Sequence, residues 1–150
     1  MTRFSRTLYR YWASLMFAAV IVQIAAAGYG AFYADTKVGG DAGSVTQKQF
    51  DHGFGFHIAL GYLIFLAALL LFLLSLVGRI GRRHILLTLA LPLLVILQIA
   101  LGIVGGSTPA VGALHPVNAL VILGLAGYLA HHAWATHRRQ VAVPVPARAA

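Results

Sequence analysis

The sequence predicts an all-α integral membrane protein built as a four-helix bundle, and three observations carry that reading. Hydrophobic residues fill 60% of its 150 positions and charged residues 9%, which leaves too little polar surface to coat a water-soluble globule. Apolar windows of roughly 20 residues, the length that crosses a bilayer as helix, recur at about 11–33, 54–77, 85–104 and 111–134. The runs are continuous and lack the period-2 alternation of a barrel strand, and only helices or closed barrels satisfy their backbone in lipid. Residues 1–137 are therefore expected to form one transmembrane domain.

The formal net charge of +8 would suit nucleic acid if it were spread over a folded surface, but its placement points elsewhere. Every arginine (Arg3, Arg6, Arg10, Arg79, Arg82, Arg83, Arg138, Arg139, Arg148) falls in the N-terminus, the second loop or the C-terminal tail, segments on one side of a four-span protein. The positive-inside rule makes that side the cytoplasm, with both termini there and the protein multi-pass in the cell (plasma) membrane. The three acids, Asp35, Asp41 and Asp51, all fall in the first loop, where no arginine occurs. The expected contacts are the lipid bilayer and its anionic headgroups, with no nucleic acid.

The first window follows a basic, aromatic stretch, T-R-F-S-R-T-L-Y-R-Y-W, suited to a membrane interface. A secretory signal is the competing reading, but the apolar run continues to Tyr33, the length of a full span. Residues 34–51, rich in glycine and polar side chains, read as an extracytoplasmic loop with weak structure. The second helix opens on H-G-F-G-F-H and continues as a leucine and alanine run to the basic turn G-R-I-G-R-R-H. Pro92 lies inside the third helix, where a kink is expected. After the fourth helix, residues 138–150 carry two prolines and no packing partner, as in a disordered cytoplasmic tail.

An internal repeat changes how the histidines are read. V-I-V-Q-I-A-A-A-G-Y-G in helix one aligns with V-I-L-Q-I-A-L-G-I-V-G in helix three, matching Gln23 to Gln98 and Gly30 to Gly105. G-F-H-I-A-L-G-Y-L-I in helix two aligns with A-L-H-P-V-N-A-L-V-I in helix four, matching His57 to His115, with Gly61 and Ala119 each one turn later. Such a parallel repeat of a two-helix unit is commonly related by a pseudo-twofold axis along the membrane normal. The two histidines then lie at one depth, roughly 6–8 Å inside the outer ends of their helices at 1.5 Å per residue.

Two neutral imidazoles facing each other inside a helix bundle suit axial ligation of a haem iron, and small residues one turn away leave room for the macrocycle. Haem b, with His57 and His115 as the metal ligands, is the expected cofactor. Zinc or copper would want further ligands, and the absence of cysteine excludes thiolate chemistry and covalent haem attachment. Met16 sits toward the opposite end of its helix. His52, beside Asp51, is the rival ligand on helix two and would require that helix to begin earlier. The competing reading makes each histidine an interfacial polar residue bonded to a loop carbonyl or to Asn118. Gln23, Gln98 and Asn118 suit interhelical hydrogen bonds, worth roughly 0.6 kcal/mol each, and the depth of Gln98 and Asn118 makes them candidates for the pocket wall. Gly28, Gly30, Gly102, Gly105 and Gly106 read as close-packing positions. His84, His131, His132 and His137 fall at the cytoplasmic ends beside arginines, as headgroup-binding residues do.

On these residues, over roughly positions 10–135, the four-span layout resembles one half of haem A synthase. The run L-H-P-V-N-A-L-V-I-L-G-L-A at 114–126 is similar to a family of small four-helix bacterial membrane proteins of unknown function. The first resemblance implies the bundle and bis-histidine haem ligation, carried onto His57 and His115. The chain departs from it in having one bundle and in lacking the glutamate that precedes the helix-two ligand there, which removes the basis for catalytic haem oxidation.

No paired carboxylates and no Ser/His/Asp set fall within the spans, so an enzyme is disfavoured. The expected function is a membrane cytochrome-like protein binding one haem b near the extracytoplasmic face and passing electrons, and a respiratory or other membrane complex is the expected protein partner. The alternative is a haem-free accessory or assembly subunit of a larger membrane complex. A cavity between the histidines distinguishes the two.

Overall fold

The structure, a computed structural model, describes residues 2–38 and 43–142, with side chains over 3–38 and 43–139. It contains five helices: α1 (Thr2–Lys37), α2 (Gln47–Gly78), α3 (Arg82–Gly105), the single turn α4 (Pro109–Gly112) and α5 (Leu114–Ala142). Four segments, Arg3–Lys37, Gln47–Gly78, Arg82–Gly105 and Pro109–Arg139, are long and apolar enough to cross a membrane, as a multi-pass membrane protein requires.

The helices outrun the hydropathy windows at most of their ends, because polar residues continue a helix beyond the hydrocarbon where water can serve its backbone. α2 begins at Gln47 rather than near Phe54. Thr46 fixes that start with a capping box: its Oγ1 accepts from the Gln49 N–H at 3.3 Å, and Gln49 Oε1 accepts from the Thr46 N–H at 2.8 Å. Thr46→Ala is expected to cost about 1 kcal/mol in the first turn of α2, read as roughly fivefold faster amide exchange over residues 47–50 with the spans unaffected. Arg138 to Ala142, expected in a disordered tail, continue α5 as helix, and 143–150 lie outside the described residues. α3 runs unbroken through Pro92, which is buried.

At its other end α2 closes on Arg79 in the left-handed region (φ 49°), where the Arg79 N–H donates to the Leu76 carbonyl and the Ile80 N–H to the Ser75 carbonyl. Few side chains adopt that backbone, and it turns the chain sharply into α3.

Packed in a ring, α1 touches α2 and α5, and α3 touches the same two, so α1 and α3 form one diagonal and α2 and α5 the other. The core along the central axis is made of small and medium side chains, among them Ala13, Met16, Ala68, Leu71, Leu91, Ala126 and Leu129. Large aliphatic side chains such as Leu66, Leu73, Ile96 and Leu120 face outward, an arrangement that fits lipid and would be an aggregation hazard in water. Buried polar groups find partners across the bundle. The Tyr9 hydroxyl bonds Thr88 Oγ1 at 3.0 Å, Thr88 in turn donates to the His84 carbonyl, and Trp12 Nε1 donates to the Ala67 carbonyl at 2.9 Å.

Candidate functional site

At the bundle end that carries the α1–α2 connection, two glutamine–histidine pairs are built alike. His57 Nδ1 donates to the Gln23 carbonyl at 3.1 Å, and the Gln23 side-chain amide donates to the His57 carbonyl at 2.8 Å. His115 Nδ1 donates to the Gln98 carbonyl at 3.0 Å, and the Gln98 amide donates to the His115 carbonyl at 3.0 Å. A carbonyl only accepts, so each Nδ1 carries a proton, and Nε2 is the ring atom turned away from that carbonyl. Metal-bound histidines are held in this way by a carbonyl behind the ring. The Gln23 amide nitrogen also lies 3.4 Å from His57 Nε2, a long contact.

The two rings meet across the α2–α5 diagonal, with centroids 6.2 Å apart and planes at 57°. Between the helices lies a cavity of about 580 Å³, within the range of small-molecule and cofactor sites. His57, His115, Gln23, Gln98, Gly61 and Ala119 all line it. Asn118 does not: it is buried behind the wall, where its amide donates to Gln98 Oε1 at 2.7 Å and to the Leu94 carbonyl at 3.0 Å. Leu60 stands at the matching place three residues after His57, so Gln23 Oε1 is buried with no partner where Gln98 Oε1 has one.

His57 faces His115, whereas His52, although inside α2, is exposed and packs its ring on Tyr33 at 4.8 Å. Of the aromatic side chains that could fill the space, Phe54 and Tyr62 stand in the walls and Phe56 points outward. Met16 is in the core, away from the cavity. Among the described residues no three histidine, cysteine or acidic side chains gather as a metal site, so a many-ligand zinc or copper centre has no donor set there.

The glycines divide by what a side chain would meet. A Cβ on Gly102 would come within 3.3 Å of the His115 ring, so its absence clears that imidazole. On Gly105 it would lie 2.7 Å from the Gly112 Cα, and on Gly30 2.6 Å from the Phe54 ring. Gly28 borders open space and Gly106 meets only the Ile103 carbonyl, so neither is an interhelical packing position.

Sequence reasoning missed Phe50 and Ile58 as wall residues. The signal is present, because 50, 54, 57, 58 and 61 fall on one helical face. A helix begun at Phe54 leaves Phe50 off that face, and in an all-apolar span no polar residues mark it.

Residues 48–104 match a family of unknown function (DUF6220), similar over the second and third helices. No curated protein and no solved structure matches the chain, so the resemblance to haem A synthase draws no support from either.

Proposed function

We propose that the protein is a membrane cytochrome-like protein that holds one haem b between His57 and His115, near the extracytoplasmic face of the plasma membrane, with both termini in the cytoplasm. The observation that carries this is the pair of imidazoles on the wall of one cavity, each with Nδ1 committed to a carbonyl, with His57 Nε2 making only the long Gln23 contact. The two residues that would hold the iron have their ring centroids 6.2 Å apart, both on the wall of the cavity. The matching hydrogen-bond sets support a duplicated two-helix unit as their origin.

Haem supplies one-electron chemistry at its iron when bound. The chain's own residues do the rest. Gln23 and Gln98 tie each ligand helix to its neighbour and fix the ring orientations. Gly61, Gly102 and Ala119 keep the space beside the rings open, and Phe54, Ile58 and Tyr62 give it a largely apolar wall. A filled space between the histidines would instead support a haem-free accessory or assembly subunit. The arginine-free, acid-bearing α1–α2 connection supports the orientation.

The test is a reduced-minus-oxidised visible spectrum of the full chain, purified in detergent after expression with haem supplied. Sharp low-spin bands are expected. A colourless protein would sink the reading and leave the accessory subunit.

A further inference from the structure

At the opposite end of the bundle, where the described chain begins and ends, a second cavity of about 800 Å³ opens among α1, the α2–α3 turn, α3 and α5. Its wall carries Arg3, Arg6, Arg10 and Arg79 together with His84 and His132. Four guanidinium groups around one space repel one another, and the usual remedy is carboxylates among them. None is there: every acid of the chain falls between positions 35 and 51, and Arg10 and Asp35 are separated along α1 by roughly 37 Å at 1.5 Å per residue. Among the described residues no carboxylate forms an ion pair with any of these four arginines.

Two of the arginines are held in place by the fold. Arg6 Nε donates to the Gly78 carbonyl at 2.8 Å and its Nη2 to the Arg79 carbonyl at 3.4 Å, which caps the end of α2 and leaves the rest of the guanidinium for the cavity. Arg10 lies over the Trp134 ring at 5.3 Å, its Nη2 donates to Thr7 Oγ1, and its Nε–H is buried with no acceptor. The one side-chain hydrogen bond of Arg10 goes to a neutral hydroxyl, so its charge is balanced by no carboxylate among the described residues. His84 and His132 stack at 3.7 Å on the facing wall, too close for a metal between them.

We propose that this cavity is a binding site for a phosphate-bearing anion, seated against Arg3 and Arg10 and completed by Arg6 and Arg79. Several guanidiniums converging on one space match the many oxygens of a phosphate, which they bind through paired N–H donors. A volume of about 800 Å³ holds more than a single inorganic phosphate. The same chemistry is offered by an anionic phospholipid headgroup and by a soluble polyphosphate. The site stands on residues separate from the paired histidines and does not depend on haem.

Tryptophan fluorescence tests it, with Trp134 beside Arg10 as reporter. Full-length protein in dodecyl maltoside is titrated in one arm with inorganic pyrophosphate and in the other with phosphatidylglycerol mixed into phosphatidylcholine micelles. A saturable change in either arm is expected. Saturation by pyrophosphate assigns a soluble ligand, and saturation by phosphatidylglycerol alone assigns a headgroup. Arg3→Gln/Arg10→Gln is expected to weaken binding at least ~10-fold, while Arg82→Gln/Arg83→Gln, which removes the same charge nearby but outside the cavity, changes it less than ~2-fold. Equal weakening in both double variants, or no saturation in either arm, would overturn the site in favour of diffuse surface attraction. Should the cavity double variant lose its cooperative melt, Thr136→Glu decides, because it sets a carboxylate on the same wall; unchanged affinity in that variant overturns the proposal.

Discussion

Haem content is expected to collapse in both His57→Ala and His115→Ala, with the low-spin spectrum lost from each. Removing a group that merely orients a metal-bound histidine costs roughly 10–100-fold in metal affinity, and removing the ligand itself exceeds that. The loss should be mutual, because under the proposed assignment His57 and His115 would hold the haem together and neither would suffice alone. Free imidazole should restore colour to either variant, since each substitution opens space beside a cavity already lined by Gly61 and Ala119. His52→Ala, whose ring packs on Tyr33 outside the cavity, should leave the spectrum as it was. A variant of His57 or His115 with undiminished bands would refute the assignment of that residue.

Gly105→Val should destabilise the bundle more than Gly30→Ala or Gly28→Ala. The new Cβ would stand 2.7 Å from the Gly112 Cα, and a backbone atom cannot rotate aside as a side chain can. Overpacking of this kind costs about 1–3 kcal/mol or more. Gly30→Ala, whose Cβ would meet the Phe54 ring, has an easier escape through rotation of that ring. Because Gly112 leads within three residues to His115, the strain at Gly105 should also displace that imidazole. The check is thermal unfolding in detergent with haem retention measured in the same samples. Gly28→Ala, bordered by open space, serves as the neutral control and should stay within about 0.5 kcal/mol of the parent. Equal melting of Gly105→Val and Gly28→Ala would show that the α3–α4 contact is slack.

The four spans were legible in the sequence because lipid demands apolar length, and that demand leaves a mark no polar loop can imitate. Helix ends were not, since capping by Thr46 and Gln49 is local chemistry that hydropathy does not register. The glutamine and histidine positions stood out for the opposite reason: each is a polar side chain set among Leu, Ile and Ala. What no pattern showed was how they are joined. Reciprocal bonds to main-chain carbonyls depend on two helices meeting at a particular rotation, and a carbonyl has no letter of its own. Asn118 illustrates the difference: its depth was readable, but its place behind Gln98 was set by packing.

The cross-links between helices are unevenly distributed along the bundle. Gln23 with His57 ties α1 to α2, and Gln98 with His115 ties α3 to α5, so each tie lies within a helix pair. Between the pairs, Tyr9 reaches Thr88, and Trp134 Nε1 donates to Ser14 Oγ at 2.9 Å, both toward the end where the described chain starts and stops. At the cavity end, among the described residues, no hydrogen bond joins one pair to the other. The bundle is thus fastened like a clothes-peg, sprung at one end and closed at the other by apolar contact alone. Parting the jaws would break no hydrogen bond seen at that end among the described residues, so the two pairs can separate there with each pair's own ties intact.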